Sequence, residues 1–467
     1  MKILRLFLVL VLALGILGVR SDLAKAQSFV SYVSGITMQN LSGSSATVVV
    51  TYYDQLGTPV YSTTDTIPAY GVKDYATIPA ASGFKGSAII SSDQVLGAVS
   101  TLRGDNKGRG AYVGVSQGSS PVVLPVLMKD WGSSLWNTWF SVQNTGNADA
   151  NITVDYAACA GTSDATANGV KPGAMVTFNQ KTTACLGAKA FTSAVVTGTQ
   201  PLAIVVAQES TVVNSALVSS GFTTGSTNPV VPLMNSNNPN TTGWRTAITL
   251  FNMGDVDTTV TMTYVKASDG STCTETQTVP SKTAKTFAGN NLIVDPPAGV
   301  TITCTKGATL VGSAYVSANT ANQPLVATVN QDRGSLASAY GALAPTAGTP
   351  KVVLPQIQDR NGASSQWASS LMVMNVGSGS TYVKCTFANT SYTATSGELL
   401  SYKAWENLQR DKIAPGYVGS GECTAYTSSA YTTIDTNAKI VAVVNIRGTG
   451  TGLFDLMMTY EGLNVQP

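Results

Sequence analysis

Histidine is absent from the 467 residues, and charge is scarce. Lys and Arg total 27 against 25 Asp and Glu, 11% of the chain, where an ordinary soluble protein carries about a quarter. Without an imidazole the chain has no Ser-His-Asp or Cys-His nucleophile, no histidine-bearing zinc centre and no haem on a histidine ligand. An enzyme built from it would rely on carboxylates, as glycosidases do. Its Asp and Glu fall mainly at turns, however, and no nucleophile elbow or phosphate loop occurs. No enzymatic activity, cofactor or metal is expected.

Long apolar runs are equally scarce outside the N-terminus. There, Lys2 and Arg5 precede the run Leu6 to Val19, and Ala24-Lys25-Ala26 follows, the layout of a secretory signal peptide. The run falls short of the roughly 20 residues a membrane-spanning helix needs, so cleavage after Ala26 and a secreted, extracellular or cell-surface protein without a transmembrane span are expected. Arg20, Asp22 and Lys25 make the cleavage region unusually charged, and an uncleaved anchor is the alternative. Removing residues 1–26 takes away Lys2, Arg5, Arg20, Lys25 and Asp22, leaving 23 positive and 24 negative charges. So neutral a chain lacks the basic face that nucleic acid requires. It also lacks the long-range repulsion that keeps molecules apart.

What the chain does have is a repeat, visible when it is aligned on Asn40, Asn144, Asn252 and Asn375. Eight residues before each anchor stands an aromatic (Tyr32, Trp136, Trp244, Trp367), and twelve after it another (Tyr52, Tyr156, Tyr264, Phe387). Apolar residues recur four and two before the anchor, as in Phe140 and Val142. They alternate with polar ones after it, as in Ile152 and Val154. A period of two marks strands with one buried face, and the eight aromatics are expected in the core. Between the strands Asn144-Thr145-Gly146, Asn252-Met253-Gly254 and Asn375-Val376-Gly377 read as turns in which glycine supplies a positive φ; repeat one has Gly43 instead.

Repeats of this length, rich in short alternating strands, predict all-β architecture: tandem antiparallel β-sandwich domains of immunoglobulin-like type. The expected divisions are a signal peptide 1–26 and sandwiches 27–120, 121–229, 230–350 and 351–467. The motif of aromatic, strand, Asn-x-Gly turn and second strand ending in an aromatic resembles the immunoglobulin-like repeats of bacterial secreted and surface proteins. The resemblance extends over all four repeats and carries no catalytic residue with it.

Cysteine is missing from repeat one. The other three hold one pair each, Cys159 and Cys185, Cys273 and Cys304, Cys385 and Cys423, which favours disulfides within repeats, each contributing about 3.5–4 kcal/mol on the chain-entropy model. The pairs stand at different distances from the anchor, so the bridges are not equivalent.

Repeats two to four each open with a related segment, Val122-Val123-Leu124-Pro125, Val230-Val231-Pro232-Leu233 and Val352-Val353-Leu354-Pro355. Repeat one has none once residues 1–26 are gone, while the chain finishes Leu463-Asn464-Val465-Gln466-Pro467, read as the start of a further repeat. A gap at one end and a spare piece at the other suggest that the tail of one subunit completes the first repeat of the next by strand addition, a heterologous contact able to grow into a filament. The competing interpretation is a linker strand with no domain to link.

Three further features are weighed. Arg103-Gly104-Asp105 matches an integrin-binding tripeptide without supporting context. The stretch Lys403 to Lys412 departs from its Thr/Ser/Gly surroundings and is expected as a short helix or protruding loop. Asp255 and Asp257 follow a turn but lack a calcium-loop pattern. Asn-x-Ser/Thr sequons stand at Asn40, Asn151, Asn240 and Asn389. The expectation is a secreted structural protein whose partner is itself, as a filament, sheath or surface layer; the alternative is a monomeric adhesin binding a cell-surface glycan.

Overall fold

The computed structural model describes residues 6–9, 32–104, 108–161, 163–238, 243–288, 296, 298–305, 307–449 and 456–465. Strands dominate them, and the helical elements among the described residues are two single 3-10 turns, Gln180–Thr182 and Pro345–Ala347. The expected all-β sandwich architecture is what the chain adopts.

Each repeat contributes two antiparallel sheets in one strand order. In repeat two the outer sheet runs Ala165–Val170, Ala150–Tyr156, Ala190–Gly198, Val122–Lys129, and the inner sheet Met175–Asn179, Asn137–Asn144, Leu202–Ser210, Ser215–Ser220. Counted along the repeat these are the fourth, third, sixth and first strands facing the fifth, second, seventh and eighth, and all four repeats share both orders. Repeat three adds Thr301–Ile302 outside its fourth strand; repeat four adds Leu463–Val465 outside its first. The two sheets close on one core, in repeat two Phe140, Val142, Ile204 and Val206 against Ile152, Val154, Tyr156 and Val196. Isolated bridges from Ser119 to Leu202, Ser226 to Leu325 and Thr349 to Ile440 tie each linker to the repeat it enters.

The anchor asparagine explains why the repeat is legible. All four are buried to 1% exposure or less, and each makes the same bonds. The side-chain amide of Asn144 donates to Ala148 O (2.7 Å) and Val170 O (2.8 Å), while its Oδ1 accepts from Gly146 N (2.9 Å). Asn252 repeats this with Val256, Val279 and Gly254, Asn375 with Gly379, Leu399 and Gly377. Asn40 does so with Ser44, Ile67 and Ser42. One side chain therefore folds the turn between the second and third strands and fastens it to the end of the fourth. The expected positive φ is not found: Gly146, Gly254 and Gly377 lie outside that region. In repeats two and three the glycine lies close against a glutamine side chain instead. A Cβ on Gly254 would sit 1.7 Å from Gln323 Oε1, and one on Gly146 2.3 Å from Gln200 Oε1.

The first strand is kinked where proline removes a donor. Its pairing with the sixth strand slips between Leu124 and Leu127, Val231 and Met234, Leu354 and Ile357, around Pro125, Pro232 and Pro355. A hydroxyl from the second strand receives an N–H beyond each kink: Thr138 from Met128 (2.8 Å), Thr246 from Asn235 (2.8 Å), Ser369 from Gln358 (2.9 Å).

Burial separates the third strands from the second and seventh. Third strands alternate, as Ala150–Tyr156 does, whereas Asn137–Asn144 and Leu202–Ser210 are buried at every residue. The second face of an inner sheet is covered by its neighbour. The chain forms two compact units, one ending at Thr223 and one beginning at Thr224. In the first, Tyr32, Leu102 and Tyr112 of repeat one pack with Trp139, Val205 and Val218 of repeat two, Tyr32 meeting Trp139 edge to face at 5.9 Å. Gln143 Nε2 donates to Ser87 Oγ (2.9 Å), which donates to Gly173 O (2.7 Å). In the second unit, Met372, Met374, Val441 and Val443 of repeat four join the core of repeat three, Tyr315 stacks on Tyr402 at 4.2 Å, and Thr459 Oγ1 donates to Ser338 Oγ (2.7 Å). Eighth strands meet eighth strands: Gly108–Val113 lies against Ser215–Ser220, and Leu336–Gly341 against Met457–Glu461. Like meeting like is the signature of a closed, isologous pairing.

Replacing Asn144 by Ala removes the donors to the Ala148 and Val170 carbonyls and frees the turn, and is expected to cost about 1–3 kcal/mol in the unfolding of the first unit, measured by chemical denaturation. Asn144→Asp, which keeps the acceptor but turns a carboxylate toward two carbonyls, should be no better than Ala.

Candidate functional site

The place of the first strand in repeat one is taken by Leu6–Val9, part of the apolar run expected to be a leader. It pairs antiparallel with Gly86–Ser92: Leu6 with Ser91, Phe7 with Ile90, Leu8 with Ile89, Val9 with Ala88. Ala88 lies across from Tyr52 on the other side. The same three-residue row crosses the outer sheet of every repeat: Leu124, Ala194, Tyr156; Val231, Ala314, Tyr264; Leu354, Gly421, Phe387. Leu6–Val9 thus stands in the register of a genuine first strand; the gap expected in repeat one is that of the chain without residues 1–26.

A first strand is held on both edges. Beyond the eighth strand the chain crosses to the outer sheet, so that Val123 exchanges both backbone bonds with Phe222 (2.8 and 2.9 Å) and Val230 with Leu343 (2.8 and 2.9 Å). A tyrosine on the eighth strand adds a grip: Tyr460 Oη donates to Gln356 O (2.7 Å), and Tyr340 Oη to Leu233 O. Leu233 and Gln356 each follow the kink proline. Tyr112, 2% exposed, is the counterpart in repeat one, since Gly114 N, Ala342 N and Gly462 N all donate to the seventh strand two residues further on.

The tail occupies the crossing position of its own repeat. Leu463, Asn464 and Val465 pair with Val353, Val352 and Lys351, as Phe222 and Leu343 do in theirs, so here the segment closes repeat four rather than opening another. Gln466 and Pro467 lie outside the described residues. All three disulfides join the expected cysteines: Cys159 to Cys185, Cys273 to Cys304, Cys385 to Cys423. The last spans directly opposed residues of the third and sixth strands, Cys159 and Cys185 join two loops, Cys273 on the fourth strand reaches Cys304 in a loop, and the bridges are not equivalent.

Of the eight aromatics, Tyr52, Tyr156, Tyr264 and Phe387 are core residues. The other row differs. Tyr32 and Trp367 are buried, but Trp136 and Trp244 are half-buried, at the small bridged loop between first and second strands where Trp131 pairs with Trp136 and Asn238 with Trp244. The stretch Lys403 to Lys412 is neither helix nor protrusion: Ala404–Leu408 is the fifth strand, paired with Ser370–Met374. Beyond it, buried Asp359 accepts N–H bonds from Asp411, Lys412 and Ile413. Arg103 is engaged with Ala76 O (2.9 Å), and Asp105 lies outside the described residues. Asp255 pairs with Lys282 at 2.8 Å, and Asp257 accepts from Ser281 N (2.9 Å). Asn40 is consumed by the turn, whereas Asn151 and Asn389 are exposed; Asn240 is outside the described residues.

A feature with no signal in the sequence is a cavity of about 240 Å³ between repeats three and four, lined by Trp244, Gln331, Glu406, Asn445 and Arg447 among others. The Arg447 guanidinium lies 5.9 Å over the Trp244 ring. Burial, then the nearby Arg333 and Arg410, push its pKa down. Gln331 is fully buried and its Nε2 has no partner. Aromatic, amide, carboxylate and guanidinium groups together suit a hydroxylated ligand.

No protein-family model, curated protein or solved structure matches the chain.

Glu461 ties repeats three and four by accepting from Gly341 N. Burial raises its pKa above the ordinary carboxyl value, and the Gly341 bond only partly opposes this. A raised carboxyl pKa adds stability that is complete below the unfolded value and lost as pH rises through the folded one. Glu461→Gln, which keeps an acceptor for Gly341, is expected to flatten the decline in melting temperature as pH rises above the ordinary glutamate value of about 4.3 and to match or exceed the parent at neutral pH.

Proposed function

We propose that the protein is a secreted structural subunit of an extracellular filament, sheath or surface layer, its copies joined head to tail through their terminal repeats, with the last repeat of one copy, closed by its own residues 463–465, meeting the first repeat of the next. The observation that supports this most directly is the first-strand place of repeat one, filled by residues that a signal peptidase would remove. Three disulfides suit an oxidising compartment, and among the described residues no helix is long and apolar enough to cross a membrane. The outer faces suit close association. They carry cross-strand hydroxyl pairs, Thr261 with Thr276 (2.9 Å) and Thr259 with Thr278 (3.3 Å), rather than repelling charges.

Negative-stain microscopy and light scattering of residues 27–467 beside residues 27–462 test this. Regular polymers from the first and monomers from the second are expected. Monomers from both at high concentration would remove self-assembly as the function.

The second reading, a glycan-binding adhesin, is favoured by the cavity at Trp244 and Arg447. It predicts a monomer that binds oligosaccharides on an array, with binding reduced at least about tenfold by Arg447→Gln and retained without residues 463–467.

A further inference from the structure

We propose that the first-strand place of repeat one is a strand-acceptor slot which, once residues 1–26 have been removed, takes a β-strand from a second copy of the chain. The inference rests on the assembly reading for the identity of its occupant; the slot itself follows from the geometry of the repeats.

Chain length prevents the mature protein from filling the slot itself. The link from first to second strand spans residues 130–136 in repeat two, 237–244 in repeat three and 360–367 in repeat four, never fewer than seven residues. After cleavage behind Ala26 only residues 27–31 precede the second strand at Tyr32, and five residues cannot supply both link and strand. Before cleavage, residues 10–31 leave ample chain, and Leu6–Val9 takes the position.

An empty slot would be costly, because a first strand is not an optional edge. On one side Gly86–Ser92 presents the row Ala88 and Tyr52 that receives Leu124, Val231 or Leu354 in the other repeats. On the other, the chain past Gly114 stands where Phe222 and Leu343 exchange bonds with theirs. Tyr112 is retained where Tyr340 and Tyr460 grip the strand behind its kink. An entering strand would gain ladders on both edges and bury an apolar face. The mature chain therefore has the slot and lacks the strand that fills it in the other three repeats.

Two experiments test this. A labelled peptide with the sequence of residues 122–129 is titrated into the mature chain 27–467, with hydrogen exchange followed over residues 86–92. Saturable binding with slowed exchange there is expected, and the peptide carrying Leu124→Asp should bind at least about tenfold more weakly, because its carboxylate would enter the core. A second chain carries residues 122–129 ahead of Gln27 through a short Gly/Ser linker, so that it completes itself. It should be monomeric, refuse the peptide and unfold at a higher temperature. Peptide binding to a mature chain that stays monomeric would support the slot and overturn assembly. Polymers equally abundant from the self-completed chain would support assembly and overturn the slot. No peptide binding, with exchange over residues 86–92 already as slow as in the self-completed chain, would also overturn the slot.

Discussion

The side chain of the anchor asparagine holds three strands in relation to one another, and the remainder of each repeat is built around it. Its amide satisfies two carbonyls and its oxygen caps the N–H two residues on, while the asparagine itself is fully buried. Buried polar groups with no partner are expensive, so no apolar residue serves at this position, and Asp would lack the donors. In repeats two and three the glycine two residues later lies against the side chain of Gln200 or Gln323, whereas repeat one has Ser42 there. A turn fixed in this way sets the register of the second and third strands, and with it the face on which Phe140 and Ile152 meet.

Pairing of repeats is the second constraint. An inner sheet buried on both faces needs a partner sheet, and the face that meets it carries Ser, Thr and Gln among its apolar residues, bonded across the contact rather than simply packed. Because eighth strands meet eighth strands, each pair is closed on itself. Growth from such a unit has to use something other than the inner sheets, which directs attention to the outer sheets and their edges. The least complete of those edges is in repeat one.

The outer sheet of repeat one connects fold to function. Three repeats supply their own kinked first strand, and the fourth borrows Leu6–Val9. The disulfides sit apart from this edge, in the three repeats that own a first strand. The Trp244 and Arg447 cavity lies in the other unit, between two repeats whose first strands are in place.

The repeat, the all-β class, the disulfide pairs and the core role of Tyr52, Tyr156, Tyr264 and Phe387 were all legible in the sequence, because local periodicity and spacing determine which side of a strand faces inward. Spacing alone could not show that Trp136 and Trp244 stop half-buried at a bridged loop, or that Gly146 and Gly254 lie against a glutamine side chain rather than supply a positive φ. Both depend on chain segments dozens of residues away. The stretch from Lys403 reads as an interruption because its face is covered only once Ala404–Leu408 joins the sheet. The sequence by itself determined an all-β chain of antiparallel sandwich repeats. Tertiary structure alone decided that they pair through doubly buried sheets, that the tail closes its own repeat, and that an apolar run fit for a leader also fits a strand, because each depends on which edges and faces remain to be covered once the local pattern is satisfied.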